Sequence, residues 1–344
     1  MSIVHQSKNC TLIDHNEYIS ELYNNVIFET EVISYTLPAK LFSIVRDQNK
    51  SRKRTYECDE FHEETTKVNN VYQDFVGHLP NEIEERIRKK YKVLDTSSVR
   101  DFSKKLFEST IFDHSCVNGG NNSDTPLKCK IKNEYFLIPS KCRFFCGNIN
   151  DCSKLNGSKF DVLIADPPWW NKYIRRLKNA NDKLSYSMMY NEDIAAIPVK
   201  SLLSNDCLVA VWCTNAPSNI SAVKDLIFSK WGVEYAATWY WVKVTADLEP
   251  ICDFGAGSKK QPYERIILGT IGNVKEIPKE QFVFSVPSAL HSHKPPLLDL
   301  LSPYLTTKEP ETLELFARYL LPNTTSVGYE PLKWQHESLY EIIS

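Results

Sequence analysis

Residues 160–170 read FDVLIADPPWW. A short run rich in apolar and β-branched residues ends in an acid and is stopped at once by two prolines. That is the form of a strand buried on both faces of a parallel sheet. In such sheets ligands are handled at the C-terminal ends of the strands, so Asp166 stands where chemistry is expected. Pro167 and Pro168 each fix φ and each restrict the residue before them, which stiffens the turn and aims its carbonyls. Trp169 then sets a broad flat face beside those polar groups. Asp-Pro-Pro by itself is also common turn chemistry; the tryptophan after it, on a core strand, tips the reading towards a site.

The same grammar continues on both sides. Strands are expected at 130–138, 141–148, 207–215, 235–244, 263–270 and 312–318, with helical patterns at about 191–203, 216–231 and 295–302 between several of them. Alternation of this kind implies an α/β fold with a mostly parallel sheet covered by helices on both faces. Upstream, 79–94 reads as a surface helix, and 49–67 is so charged and poor in apolar residues that it reads as a solvated or disordered loop. VNGGNNSDTP at 117–126 is the strongest linker signal. It divides an N-terminal accessory region, 1–117, from a catalytic domain, 127–344.

Composition narrows the class. The 344 residues are 42% hydrophobic and 24% charged, with a formal net charge of −2, as expected of a soluble globular protein. A neutral sum does not exclude a nucleic-acid enzyme, since only the groove that touches phosphate must be basic. The first residues lack a basic stretch followed by an apolar one, and no uninterrupted apolar run reaches the ~18 residues of a spanning helix. An intracellular chain with no membrane partner and reduced thiols is therefore expected. None of the ten cysteines forms a CxxC pair. Cys116, Cys129, Cys142, Cys146 and His114 match no familiar zinc module, so core thiols and no metal are expected. Nor is there a GxGxxG, which argues against a nicotinamide enzyme.

The turn at Asp166 suits one reaction in particular. The exocyclic amine of adenine is a poor nucleophile because its lone pair is delocalised into the ring. Holding it towards tetrahedral geometry takes two acceptors for its two N–H groups and a surface on which the base can stack. Asp166, the Pro167 carbonyl and Trp169 offer these in order, and positioning with electrostatics then supplies the catalysis. Further motifs accompany the tetrapeptide: Ser185-Tyr186-Ser187-Met188, Trp241-Val242-Lys243, Lys260-Gln261-Pro262-Tyr263-Glu264, His291-Ser292-His293-Lys294-Pro295, Glu314-Leu315-Phe316-Ala317-Arg318, Gly328-Tyr329-Glu330 and Lys333-Trp334-Gln335-His336. Over roughly 140–334 this set resembles the eukaryotic MT-A-type N6-adenine methyltransferases. The runs WVKVT and PYERIILG look most like the methyltransferase-like protein 4 branch, whose members act on U2 small nuclear RNA, with DNA adenine activity also proposed.

The resemblance implies a Rossmann-like fold that uses S-adenosylmethionine, with Asp166, Pro167, Pro168 and Trp169 as the catalytic turn. It implies that Asn148 and Ile149 hold the cofactor's adenine, that Lys294 pairs with its methionine carboxylate, and that Glu314 to Arg318 replaces a glycine-rich loop with Arg318 on the ribose. Tyr329 and Glu330 complete that set, Tyr329 standing where relatives carry an amide. A His-Asn pair found after the arginine in some relatives is replaced by Tyr319-Leu320. On the substrate side, Lys172, Tyr173, Arg175, Arg176 and Lys178 interleave charge with an aromatic, and with Tyr186 they are candidates to clamp a flexible strand; a solvated amphipathic helix accounts for the same pattern.

The expected activity is methylation of adenine N6 in RNA by a chain active as a monomer. The target expected from the resemblance is an internal adenosine of U2 small nuclear RNA. Lys50, Arg52, Lys53 and Arg54 form a basic cluster consistent with nuclear import. DNA as substrate, a pseudo-methyltransferase acting as RNA-binding partner, and a small-molecule methyltransferase are the alternatives. The intact tetrapeptide disfavours the second and the basic stretch the third.

Overall fold

The computed structural model describes residues 3–46, 59–92, 101, 116–170, 188–255 and 260–343. Its strands are β1 (Ile3–Ser7), β2 (Cys10–Ile13), β3 (Val26–Phe28), β4 (Glu31–Thr36), β5 (Asn118–Asn121), β6 (Leu127–Ile131), β7 (Glu134–Ile138), β8 (Cys142–Cys146), β9 (Phe160–Ala165), β10 (Leu203–Cys213), β11 (Glu234–Lys243), β12 (Tyr263–Ile271), β13 (Phe282–Ser285), β14 (Thr312–Leu315), β15 (Thr324–Gly328) and β16 (Glu341–Ile343). Eleven of them form one sheet in the order β1-β2-β13-β11-β12-β10-β9-β14-β15-β8-β5. Only β1, β12 and β5 run against the others, so the mostly parallel α/β sheet is present. A smaller sheet has the order β16-β4-β3-β6-β7.

β9 is central, with β10 and β14 pairing parallel on its two sides. Its side chains alternate between two cores. Leu163 and Ala165 pack with Val223, Ile227, Phe228 and Trp231 from the helical stretch 217–231, while Val162 and Ile164 pack with Leu297, Leu300 and Leu301 around the short helix Leu298–Leu301. Burial on both faces is why the run reads as continuously apolar rather than alternating. Gly269 lets the first helix lie close, because a Cβ there would meet Phe228 Cε2 at 2.7 Å.

The N-terminal residues share this architecture. β2 pairs parallel with β13. Helix α1 (His15–Leu22) is capped by Asp14, whose side chain accepts from Glu17 N–H. Helices α2 (Asp59–Gly77) and α3 (Asn81–Tyr91) follow. Residues 59–67, expected as loop, belong to α2. Thr65, Val68, Tyr72 and Phe75 make a buried stripe at helical spacing, and Glu64 pairs with the buried Arg265 of β12.

Three more expectations are corrected. The 130–138 segment is a hairpin, β6–β7, turning at Lys132 with φ of 56°. Within 117–126, read as linker, β5 pairs antiparallel with β8, so strands on both sides of the expected boundary belong to the large sheet. The helices expected at 191–203 and 295–302 are shorter, Asn191–Ala195 and Leu298–Leu301. Of the cysteines singled out, Cys142 and Cys146 are buried thiols, Cys129 is half-buried and Cys116 is exposed. Among the described residues no helix is long and apolar enough to cross a membrane.

Candidate active site

After β9 the chain crosses to β10 on one side; after β14 it crosses to β15 on the other. The crevice between β9 and β14 is therefore the point where strand order reverses, the usual ligand position in open α/β sheets. Asp166 emerges there, its N–H donating to Leu315 O at 3.4 Å. The turn that follows is pinned from several directions. Trp169 N–H donates to Pro167 O (2.8 Å), Met189 N–H to Pro168 O (2.9 Å) and Trp170 N–H to Met189 O (3.1 Å). Trp169 is only 7% exposed, and its indole N–H donates to Trp212 O at 3.1 Å. Its ring is thus fixed in the core beneath the turn and is not the open base-stacking face expected from the sequence. Trp170 instead stacks on Tyr190, 57% exposed, with ring centroids 5.9 Å apart and planes 19° from parallel.

The Asp166 carboxylate is held at one oxygen. Oδ2 accepts from Ser292 Oγ (2.9 Å) and Arg318 Nη1 (2.7 Å), while Oδ1 has Lys294 Nζ at 3.8 Å. Lys294 in turn pairs with Glu264, and Glu264 with Lys243. On the other side Arg318 Nε lies 3.8 Å from Glu330 Oε2, and Glu330 Oε1 accepts from Lys333 Nζ at 2.8 Å. The chain Lys243, Glu264, Lys294, Asp166, Arg318, Glu330, Lys333 alternates in sign across the crevice. Burial opposes ionisation of Glu264, but Lys294 and Lys243 overcome it and hold its carboxyl well below the usual range. Lys294 is likewise pulled down by burial but raised on balance by Asp166 and Glu264. Lys243 is lowered, because burial and Lys294 outweigh Glu264.

Glu314 has the opposite fate. Its Oε2 is sealed from solvent and has no hydrogen-bond partner among the described residues. Burial first, then the Asp166 charge, push its carboxyl up to about 8, with Arg318 opposing. His291 is pushed down to about 4 by burial and by Arg318 and Lys333. His293 faces away into the core, 4.4 Å from His15 and 4.7 Å from Tyr319 between ring centroids. Two site residues, Ser292 and Phe316, have left-handed backbone, φ of 57° and 63°. Strain of this kind in residues with side chains gathers at functional sites.

Beside this cluster lies a cavity of about 670 Å³, in the range of small-molecule sites. Asn148, Ile149, Arg318, Tyr329 and Glu330 line it together with Pro168, Met189 and Phe316, so five of the expected cofactor residues converge on one space. Asp166 bonds to Arg318 at its wall, with Lys294 and Glu314 behind. Apolar faces, amides and alternating charge are the lining that a nucleoside with a zwitterionic tail requires, and S-adenosylmethionine fits them. Three further details differ from expectation. The Asn148 carboxamide oxygen caps the following turn by accepting from Asn150 N–H (3.0 Å), which leaves its NH₂ to face a ligand. Lys294 is already engaged by Glu264, a carboxylate that the sequence reading did not pair with it. β14 ends at Leu315, so Phe316, Ala317 and Arg318 form the loop rather than the strand end.

Sequence reasoning took Glu264, Lys243 and Ser292 only as motif letters; their contact with Asp166 and Lys294 is tertiary. It did not single out Trp170 or Tyr190, although the doubled tryptophan was a visible signal. Lys172, Tyr173, Arg175, Arg176, Lys178 and Tyr186 lie outside the described residues, as does the basic cluster at 50–54.

The MT-A70 family model matches residues 160–330. A Caenorhabditis elegans protein named DNA N6-methyl methyltransferase is 30% identical over 96% of this chain and 97% of its own length. Human N(6)-adenine-specific methyltransferase METTL4 is 37% identical over 231 residues, 63% of this chain; the chain spans about half the length of that relative, 47%. Pyricularia oryzae N6-methyladenosine RNA methyltransferase MTA1 is 30% identical over 59% of this chain and 56% of its own length.

Proposed function

The chain belongs to the MT-A70 family, and on that premise we propose that it methylates N6 of an unpaired adenine in RNA, an internal adenosine of U2 small nuclear RNA in the nucleus. The carrying observation is the Asp166 carboxylate, clamped at Oδ2 by Ser292 and by Arg318, a residue that itself lines the cavity. A methyltransferase of this family uses S-adenosylmethionine, which supplies an electrophilic methyl group on a sulfonium.

The residues of this chain supply position. Asp166 Oδ1 and the second lone pair of the Pro167 carbonyl accept the two N6 hydrogens and turn the nitrogen lone pair out of the base plane. Ser292 and Arg318 stop the carboxylate rotating, so the orientation is fixed before the base arrives. Asn148, Ile149, Arg318, Tyr329 and Glu330 would hold the cofactor, and the buried Trp169 keeps the turn from yielding. A target adenine must leave its stack to reach Asp166, a step that is cheapest in an unpaired strand. The basic residues at 172–178 suit the same substrate.

DNA is the second reading, favoured by the name of the nematode relative that the chain matches nearly end to end. Wild type and Asp166→Asn should be given S-adenosylmethionine with single-stranded RNA, single-stranded DNA and duplex DNA of one sequence, and N6-methyladenine measured by mass spectrometry. RNA should be methylated fastest and Asp166→Asn should keep less than a tenth of the turnover. Faster methylation of duplex DNA would overturn the RNA reading, and an active Asp166→Asn would overturn the site.

A further inference from the structure

Trp169, the aromatic residue of the tetrapeptide, is committed to the core by burial and by its bond to Trp212. The aromatic surface open to a ligand at this turn is the next one, Trp170 with Tyr190. We propose that this stacked pair seats the nucleobase adjacent to the target adenine, and so selects for an unpaired strand. The proposal rests on the nucleic-acid reading above and adds a subsite to it.

Four observations carry it. The rings are parallel to within 19° and 5.9 Å apart at their centroids, an offset stack whose outer face, on Tyr190, is solvent-exposed. The backbone of the platform is anchored: Trp170 N–H donates to Met189 O, Met189 N–H donates to Pro168 O, and Tyr190 N–H donates to Asp193 Oδ2 at 3.3 Å. With both backbones anchored and Trp170 half-buried against Tyr190, the rings have little freedom left to lose when a base stacks on them. Trp170 also follows Asp166 by four residues, which limits their separation to about 14 Å. That is close enough for the neighbour of a base held at Asp166. Finally, Met189 and Asp193, which flank Tyr190, line the cofactor cavity, so the platform borders the reaction space. Every base has a flat π-face, so such a seat recognises an unstacked strand with little sequence preference.

The test couples protein and substrate changes. Wild type, Trp170→Ala, Trp170→Phe and Tyr190→Ala are compared on single-stranded oligonucleotides with one adenine. The oligonucleotides are intact, or carry an abasic residue immediately 5′ or 3′ of the adenine. Binding is read by fluorescence anisotropy, and methylation as KM and kcat separately. Losing one base stack should weaken wild-type binding and raise KM roughly 5- to 100-fold at one of the two abasic positions. Trp170→Ala and Tyr190→Ala should weaken binding of the intact strand by a similar factor and lose nothing further on that abasic strand. Trp170→Phe should restore most of the loss, and S-adenosylmethionine affinity should stay within about twofold. Losses that multiply at both abasic positions would make the pair a latch for the turn and overturn the proposal. If wild type methylates no oligonucleotide, the functional reading fails, and the anisotropy cycle still decides whether this pair seats a base.

Discussion

The Asp166 end of the crevice and the Tyr329 end rise from neighbouring strands, β9 with β14 and β15 with β8, and are built on opposite principles. At the inner end every charge has a neighbour of opposite sign, and Asp166 is fixed by a hydroxyl and a guanidinium. At the outer end Tyr329 is 43% exposed, and Asn148 spends its oxygen on its own turn. The inner end must present one geometry to a reacting nitrogen, where a small misplacement is costly. The outer end grips a large cofactor by many partial contacts, any one of which can drift. The amide-to-phenol departure at Tyr329 lies at this outer end, whereas the Tyr319-Leu320 departure lies inward, where Tyr319 is buried and its hydroxyl donates to Lys294 O.

Lys294→Met attacks the inner end most directly. It takes from Glu264 one of its two cations and from Asp166 a positive neighbour, leaving buried negative charge under-compensated. Breaking such a pair should cost about 3 kcal/mol of stability, read from the chemical-denaturation midpoint. Cofactor affinity should fall about tenfold or more if the ammonium also meets the carboxylate of S-adenosylmethionine. A variant as stable as wild type would mean that the alternating chain is decoration, and the contrast between the two ends would fail.

Glu314→Gln sharpens the contrast within the inner end, between two glutamates of opposite character. Glu264 is held ionised by two lysines, whereas Glu314 is held protonated by burial, its carboxyl raised from 4.5 to about 8. The unfolded chain therefore releases this proton near pH 4.5 and the folded chain only near pH 8. Between those values the folded state binds more protons, so the contribution of Glu314 to stability is full below about pH 4.5 and is lost as pH rises towards 8. Glutamine has no such dependence. Thermal melts from pH 5 to 8.5 should show the variant gaining on wild type as pH rises. Parallel curves would show that Glu314 is ionised throughout.

The legible parts of this molecule were the local ones. β9 and its proline stop declare themselves in eleven consecutive residues, and the cofactor residues were named from motifs that fold into one cavity. The Lys243–Glu264–Lys294 chain was not legible, because its members come from two antiparallel strands and a loop. Only the β11–β12 register, which sets Trp241 opposite Glu264, brings them within reach. The β6–β7 hairpin was hidden because Lys132-Asn133 is a turn without glycine or proline. α2 was hidden because its charged face outnumbers the stripe of Thr65, Val68, Tyr72 and Phe75 until Arg265 of β12 is there to receive Glu64.

The smallest effect expected is at the outer end, from Tyr329→Asn. The phenol is half in solvent and lines the cavity from the loop after β15. Its removal therefore leaves no cavity in the core, and stability should change by less than about 0.5 kcal/mol. What changes is chemistry at the rim: a ring that can lie against a nucleoside is replaced by an amide that can bond its edge. If relatives with an amide here use it on adenosine, the variant should bind S-adenosylmethionine equally or up to severalfold more tightly by calorimetry, with kcat unaltered because the inner end is untouched. A tenfold loss of affinity would make Tyr329 a recognition residue of this chain in its own right. The outer end would then be as specified as the inner one, by stacking where the relatives use hydrogen bonds.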